Sequence, residues 1–209
     1  MNKIILIYLI QIINLQPEHI SSYCLTIEDK TALSSWVKSG KITPQSEDKQ
    51  SDQFELLIKV LALHGYEQYE ISNFAKESKY AVHNSNYWKA EEYLGIGPSA
   101  HSYDGENRRW NVSNNTLYIK NIGVNNDWFT IEKLSLENKW NELFLTGLRT
   151  KWGVLKADIN QLGGFSEKEL ILIDRLLVQG VLLEDEIRYT LSGSGKIKAD
   201  GIASDFFRL

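Results

Sequence analysis

Residues 50–74 read QSDQFELLIKVLALHGYEQYEISNF, and the order of patterns within them decides the fold class. Phe54, Leu57, Ile58 and Leu61 recur at helical spacing, so Gln50–His64 is expected to be an amphipathic helix opened by Ser46-Glu47-Asp48. Gly65 stops it, because glycine adopts the left-handed backbone that ends helices without steric cost. Tyr66–Phe74 (YEQYEISNF) then reads as a strand, and upstream His19–Ile27 (HISSYCLTI) has the same β-rich, partly alternating character. Strand, helix-length crossover, strand predicts an α/β architecture with a parallel sheet.

Before this unit, Ile4–Ile13 (IILIYLIQII) is apolar on every side. A membrane-spanning helix needs ~20 such residues, and no small-residue cleavage site follows. The run is expected to be a buried core helix with partners on more than one side.

After the unit, Ala75–Val112 has weak periodicity but concentrates Tyr80, Tyr87, Trp88, Tyr93, Tyr103 and Trp110, predicting loops and short strands around a pocket. Asn114–Ile122 predicts a short helix. The composition then changes. Leu136–Leu148 is amphipathic with a basic end at Arg149 and Lys151, and Leu155–Leu162 is closed by Gly163-Gly164. Ser166 and Glu169 have capping-box spacing at the head of a helix to Gln179, stopped by Gly180. Val181–Glu184 and Ile187–Leu191 predict a hairpin, and Ile197–Phe207 a last helix. Three helices and a hairpin make a small α+β, winged-helix-like domain. Its third helix carries Glu167, Glu169 and Asp174 against Lys168 and Arg175, a poor face for nucleic-acid phosphates.

Composition narrows the function classes. The 209 residues hold 23 Lys+Arg against 27 Asp+Glu, a net charge of −4, with a single cysteine, Cys24. One cysteine excludes an intrachain disulfide and any all-cysteine metal site made by this chain alone. Mild acidity gives no drive toward nucleic acid or anionic membrane, and a cytoplasmic location is expected.

Four clusters could carry chemistry: His83-Asn84-Ser85-Asn86-Tyr87-Trp88, Tyr93–Ser102 (YLGIGPSAHS), Tyr66–Phe74 and Arg108-Arg109-Trp110-Asn111. A histidine among flat aromatics can ligate haem iron while the rings pack on the macrocycle. An arginine pair can hold carboxylates in forked geometry. Gly95-x-Gly97-Pro98 allows close backbone approach but lacks the third glycine of a dinucleotide fingerprint. Each cluster also has a structural reading: a hydrogen-bonded core histidine, glycines serving a turn, arginines solvated at the surface. No Gly-x-Ser-x-Gly elbow supports a hydrolase.

Taken in order, HISSYCLTIE, DQFELLIKVLALHGYEQYEISNFA, HNSNYW, EYLGIGPSAHSY and RRWN resemble the oxygen-independent coproporphyrinogen III oxidase-like radical SAM proteins. The HNxxYW match at His83, Asn84, Tyr87 and Trp88 is similar to the haem chaperone (HemW-like) branch. The resemblance implies the C-terminal part of a partial (β/α) radical SAM barrel over residues 1–125, followed by the family's winged-helix-like domain over 130–209. It implies haem or porphyrin as ligand, with His83 as iron ligand, Asn84, Tyr87 and Trp88 around it, and Gly95, Gly97, Ser99 and His101 lining the pocket. Arg108 and Arg109 become propionate-binding candidates.

The family also binds S-adenosylmethionine on a [4Fe–4S] cluster held by C-x-x-x-C-x-x-C, a motif this sequence lacks. That departure predicts a truncated or split family member with no catalytic residues and no radical chemistry of its own, serving haem binding or delivery to a haem-accepting protein. The alternatives are one half of a coproporphyrinogen III oxidase in porphyrin biosynthesis, completed by a missing N-terminal half on another chain, or a nonfunctional remnant.

Overall fold

The computed structural model describes residues 3–125 and 127–209; residues 1, 2 and 126 lie outside it. The chain forms two compact units, one ending at Ala81 and one running from Val82 to Leu209. The sequence reading instead sets its domain boundary between residues 125 and 130.

The first unit contains α1 (Lys3–Asn14), β1 (His19–Ser21), α2 (Ala32–Lys38), α3 (Glu47–Leu63), β2 (Glu67–Glu70) and β3 (Asn73–Ala75). Leu9 and Ile13 of α1, Ile20, Leu57 and Leu61 of α3, Tyr66 and Phe74 form its core. The expectation of a buried first helix holds for one face only. Ile4, Ile7, Tyr8 and Ile10 are exposed, 50% or more, because α3 covers a single side of α1.

The sheet corrects the sequence reading in two ways. Its order is β1-β3-β2, with β3 antiparallel to both neighbours, so β1 and β2 share a direction without pairing. Tyr66–Phe74 is therefore a hairpin rather than one strand. The reversal needs no glycine or proline, because the buried Glu70 carboxylate accepts hydrogen bonds from the Ser72 N–H (3.0 Å) and Asn73 Nδ2 (2.5 Å). The strand expected over His19–Ile27 ends at Ser21; Ser22 adds one bond to the Ser72 carbonyl, and Tyr23 and Leu25 lie exposed.

The second unit opens with α4 (Val82–Trp88), followed by β4 (His101–Tyr103), β5 (Asn107–Asn111), α5 (Asn115–Asn121) and β6 (Phe129–Lys133). The three strands form an antiparallel sheet in chain order. Next come α6 (Leu136–Gly147), β7 (Val154–Leu155), α7 (Lys156–Gln161), α8 (Glu167–Val178), β8 (Leu182–Glu184), β9 (Arg188–Leu191), α9 (Gly193–Lys196) and α10 (Ala199–Asp205). The helices α6, α7 and α8 with a β7-β9-β8 sheet, the expected β8–β9 hairpin plus one further strand, give a winged-helix-like arrangement that α9 and α10 follow. Ser166 and Glu169 form the capping box read from their spacing.

Trp140, Phe144 and Phe206 centre this part, the two phenylalanine rings stacked at 4.4 Å. Arg208 lies over the Trp140 ring and meets Glu169 through two 2.8 Å bonds, a forked pair that fastens the C-terminal segment to α8. Among the described residues, no helix is long and apolar enough to cross a membrane.

Candidate functional site

The HNSNYW segment, expected as loop, is the helix α4. Its side chains sustain it at i,i+4 spacing: the Trp88 indole N–H donates to Asn84 Oδ1 (2.9 Å), and the His83 ring meets Tyr87 edge-on at 5.1 Å. Asn84 and Trp88 thus brace each other, and the Arg149 guanidinium lies 5.2 Å over the indole. His83 itself is exposed, and among the described residues its ring makes no hydrogen bond. A histidine in that state has a ring nitrogen available to a ligand.

From His83 a series of rings leads into the unit. Tyr87 lies 4.6 Å from Tyr93, Tyr93 lies 6.3 Å from Tyr103, and the Arg108 guanidinium sits 5.6 Å over Tyr103. Burial pushes the Tyr93 and Tyr103 phenols above their ordinary range.

The YLGIGPSAHS segment is pinned from within. Asn111, buried at the end of β5, donates from Nδ2 to the Gly95 (3.3 Å) and Gly97 (2.8 Å) carbonyls, and Gly95 N–H donates to Ser102 Oγ at 2.9 Å. A Cβ at Gly95 would stand 2.0 Å from the His101 carbonyl oxygen, so the position admits only glycine. Gly97 (φ +103°) and Ser99 (φ +60°) turn the chain through left-handed backbone. His101 is exposed with Trp110 at 6.3 Å, and it borders a separate hollow with Ser99, Asn114 and Leu117.

Arg108 and Arg109 are not brought together. Adjacent strand residues point to opposite faces: Arg108 pairs with Glu142 of α6 at 2.8 Å, while Arg109 packs over Trp128 and Phe129 at 5.1 Å.

Beside α4 a cleft of about 760 Å³ opens against the C-terminal helices, within the range of small-molecule sites, roughly 300–1,000 Å³. Tyr87, Trp88, Tyr93 and Tyr103 border it, as do Lys139, Trp152 and Arg188. The last three were not singled out as site residues in the sequence, where nothing local links them to HNSNYW.

Cys24 is exposed and borders a distinct apolar cavity of about 290 Å³ with Leu33, Val37 and Phe54 in the first unit. Among the described residues, no group of three or more His, Cys, Asp or Glu side chains is placed to hold a metal ion.

No family model matches the chain. It is 36% identical over 107 residues to heme chaperone HemW of Bacillus subtilis, covering 51% of this chain and 28% of that protein. It is 35% identical over 101 residues to heme chaperone HemW of Mycobacterium tuberculosis, covering 48% and 26%. A third relative is the mitochondrial radical S-adenosyl methionine domain-containing protein 1 of Danio rerio, 39% identical over 84 residues, covering 40% and 19%. The matches thus span about a quarter of these relatives' length or less. Among solved structures, coproporphyrinogen III oxidase (HemN) from Escherichia coli, a radical SAM enzyme, shares the fold. The TM-score is 0.70 at 16% identity, over 97% of this chain and 50% of that one. The chain is homologous to the HemW proteins and has the mixed α/β fold of half of a radical SAM coproporphyrinogen oxidase, the fold class expected from its sequence.

Proposed function

We propose that this chain contributes to haem binding and delivery, with His83 as a ligand to the iron and haem as cargo rather than reactant. The observation that carries this reading is the state of His83: exposed, unbonded among the described residues, and held beside Tyr87 on a helix stiffened by the Asn84–Trp88 bond. Similarity to proteins named heme chaperone HemW supplies the ligand class. Neutral imidazole is a strong iron ligand, and Tyr87 offers a flat surface at its edge. The fold shared with coproporphyrinogen III oxidase does not by itself select that reaction.

In this reading residues 1–125 are barrel-derived, residues 130–209 are the family's C-terminal domain, and the protein works in the cytoplasm. Gly95, Gly97, Ser99 and His101 are assigned no iron ligation; Ser99 and His101 border a hollow separate from the cleft beside α4. With one cysteine, the residues present do not fit a cluster held by three thiolates. This chain alone therefore cleaves no S-adenosylmethionine, and cluster-dependent 5′-deoxyadenosine formation by the isolated chain would contradict that. The haem reading is tested by absorption titration of wild type and His83→Ala. A Soret shift present in wild type and absent in the variant is expected; an equal shift in both removes His83 from the reading.

A further inference from the structure

We propose that the cleft beside α4 is a carboxylate-binding subsite for a planar tetrapyrrole, with Lys89, Lys139 and Arg188 as its anion partners. It deepens, and rests on, the reading of His83 as a haem contact.

The cleft's charge runs against the molecule's. The chain carries a net −4, yet four basic side chains border the cleft against two acidic ones. Arg108 is already neutralised by Glu142 at 2.8 Å. Among the lining residues that leaves Lys89, Lys139 and Arg188 against Asp158, with Arg188 also ion-paired from its Nε to Asp185 outside the lining. Lys139 makes no ion pair among the described residues. Lys89 has its ammonium 4.4 Å over the Trp152 ring. Arg188 spends Nη1 on the Trp152 carbonyl at 3.2 Å, and its Nε stands 3.7 Å from Asp185, beyond hydrogen-bonding distance.

Aromatic rings stand in the same wall, Tyr87, Trp88, Tyr93, Tyr103 and Trp152, beside aliphatic side chains such as Leu143 and Leu155. A purely apolar ligand would desolvate these cations without pairing them, which is costly. A small anion would leave the rings and most of the volume unused. A flat aromatic dicarboxylate meets both demands, stacking on the rings and pairing its carboxylates with the cations. The ring series from His83 through Tyr87 and Tyr93 to Tyr103 connects the iron-ligand candidate to this cleft. The carboxylate partners are thus Lys139 of α6, Arg188 of β9 and Lys89 just after α4, rather than the adjacent strand pair Arg108 and Arg109.

The test uses the full chain and metal-free protoporphyrin IX, which keeps both carboxylates and cannot be ligated by histidine, alongside its dimethyl ester. Binding is followed by the porphyrin's own fluorescence. The acid is expected to bind at least about tenfold more tightly than the ester, since one charge-assisted hydrogen bond is worth that factor. Lys139→Gln and Arg188→Gln should each weaken the acid by about tenfold and leave the ester unchanged. His83→Ala should leave metal-free binding intact while abolishing the haem Soret shift. Equal affinity for acid and ester, or no effect of Lys139→Gln, overturns the subsite. Should Arg188→Gln fail to fold, the partly exposed Lys139→Gln decides. Acid-selective binding together with a Soret shift retained in His83→Ala would instead sink the iron ligand and keep the cleft.

Discussion

The unit ending at Ala81 and the unit beginning at Val82 spend their apolar residues differently. In the first, an aliphatic core of Leu9, Ile13, Leu57 and Leu61 uses one side of α1 and leaves Ile4, Ile7, Tyr8 and Ile10 in contact with solvent. In the second, Trp140, Phe144, Phe165 and Phe206 close on one another, and Arg208 seals the cluster by stacking on Trp140 and pairing with Glu169. The contrast separates apolar character from burial: α1 is the more hydrophobic helix by sequence, yet α6 is the one that fully encloses its aromatic side chains, Trp140 and Phe144.

The largest expected effect lies in the closed core. Phe144→Ala leaves a cavity between the Trp140 and Phe206 rings and should cost about 3–5 kcal/mol in denaturant unfolding of the Val82–Leu209 unit. A loss below about 1 kcal/mol would mean the aromatic cluster is not tightly packed.

Next comes its seal. Burial pushes the Glu169 carboxyl up, but the Arg208 bonds and the Ser166 N–H outweigh it and hold it below the usual glutamate range. A lowered carboxyl stabilises the fold above the unfolded value of about 4.3 and loses that contribution as pH falls through the folded value. Glu169→Gln should therefore cost about 2–3 kcal/mol at pH 7, less than a fully buried pair because Arg208 is partly exposed. Its deficit should close below about pH 4. A deficit that persists in acid would assign the effect to packing.

The smallest effect is expected on α1. Ile7→Ser removes an exposed apolar side chain and should change stability by no more than about 0.5 kcal/mol. A larger loss, read by thermal unfolding, would show that this face is covered in solution and would break the comparison.

The same contrast describes what could be read from sequence. Local signals carried the second unit's helices: the Ser166–Glu169 capping box and the Gly180 stop are complete within one segment. The Tyr66–Phe74 hairpin escaped, because its reversal depends on a buried carboxylate folding back on Ser72 and Asn73 rather than on a turn residue. α4 escaped because bonds between Asn84 and Trp88, not apolar periodicity, support it. Residues 83, 84, 87 and 88 were legible as a motif. Lys139 and Arg188 were not, since only tertiary folding brings α6 and β9 to the cleft that α4 borders.

The central claim is that His83 is the histidine that meets iron. Electron paramagnetic resonance of the ferric haem complex tests it most directly, comparing wild type with His83→Ala and His101→Ala, each with and without added imidazole. The account predicts a histidine-ligated signal in wild type and His101→Ala, its loss in His83→Ala, and its return there when imidazole is supplied. A signal that survives in His83→Ala without imidazole, or vanishes in His101→Ala, would contradict it.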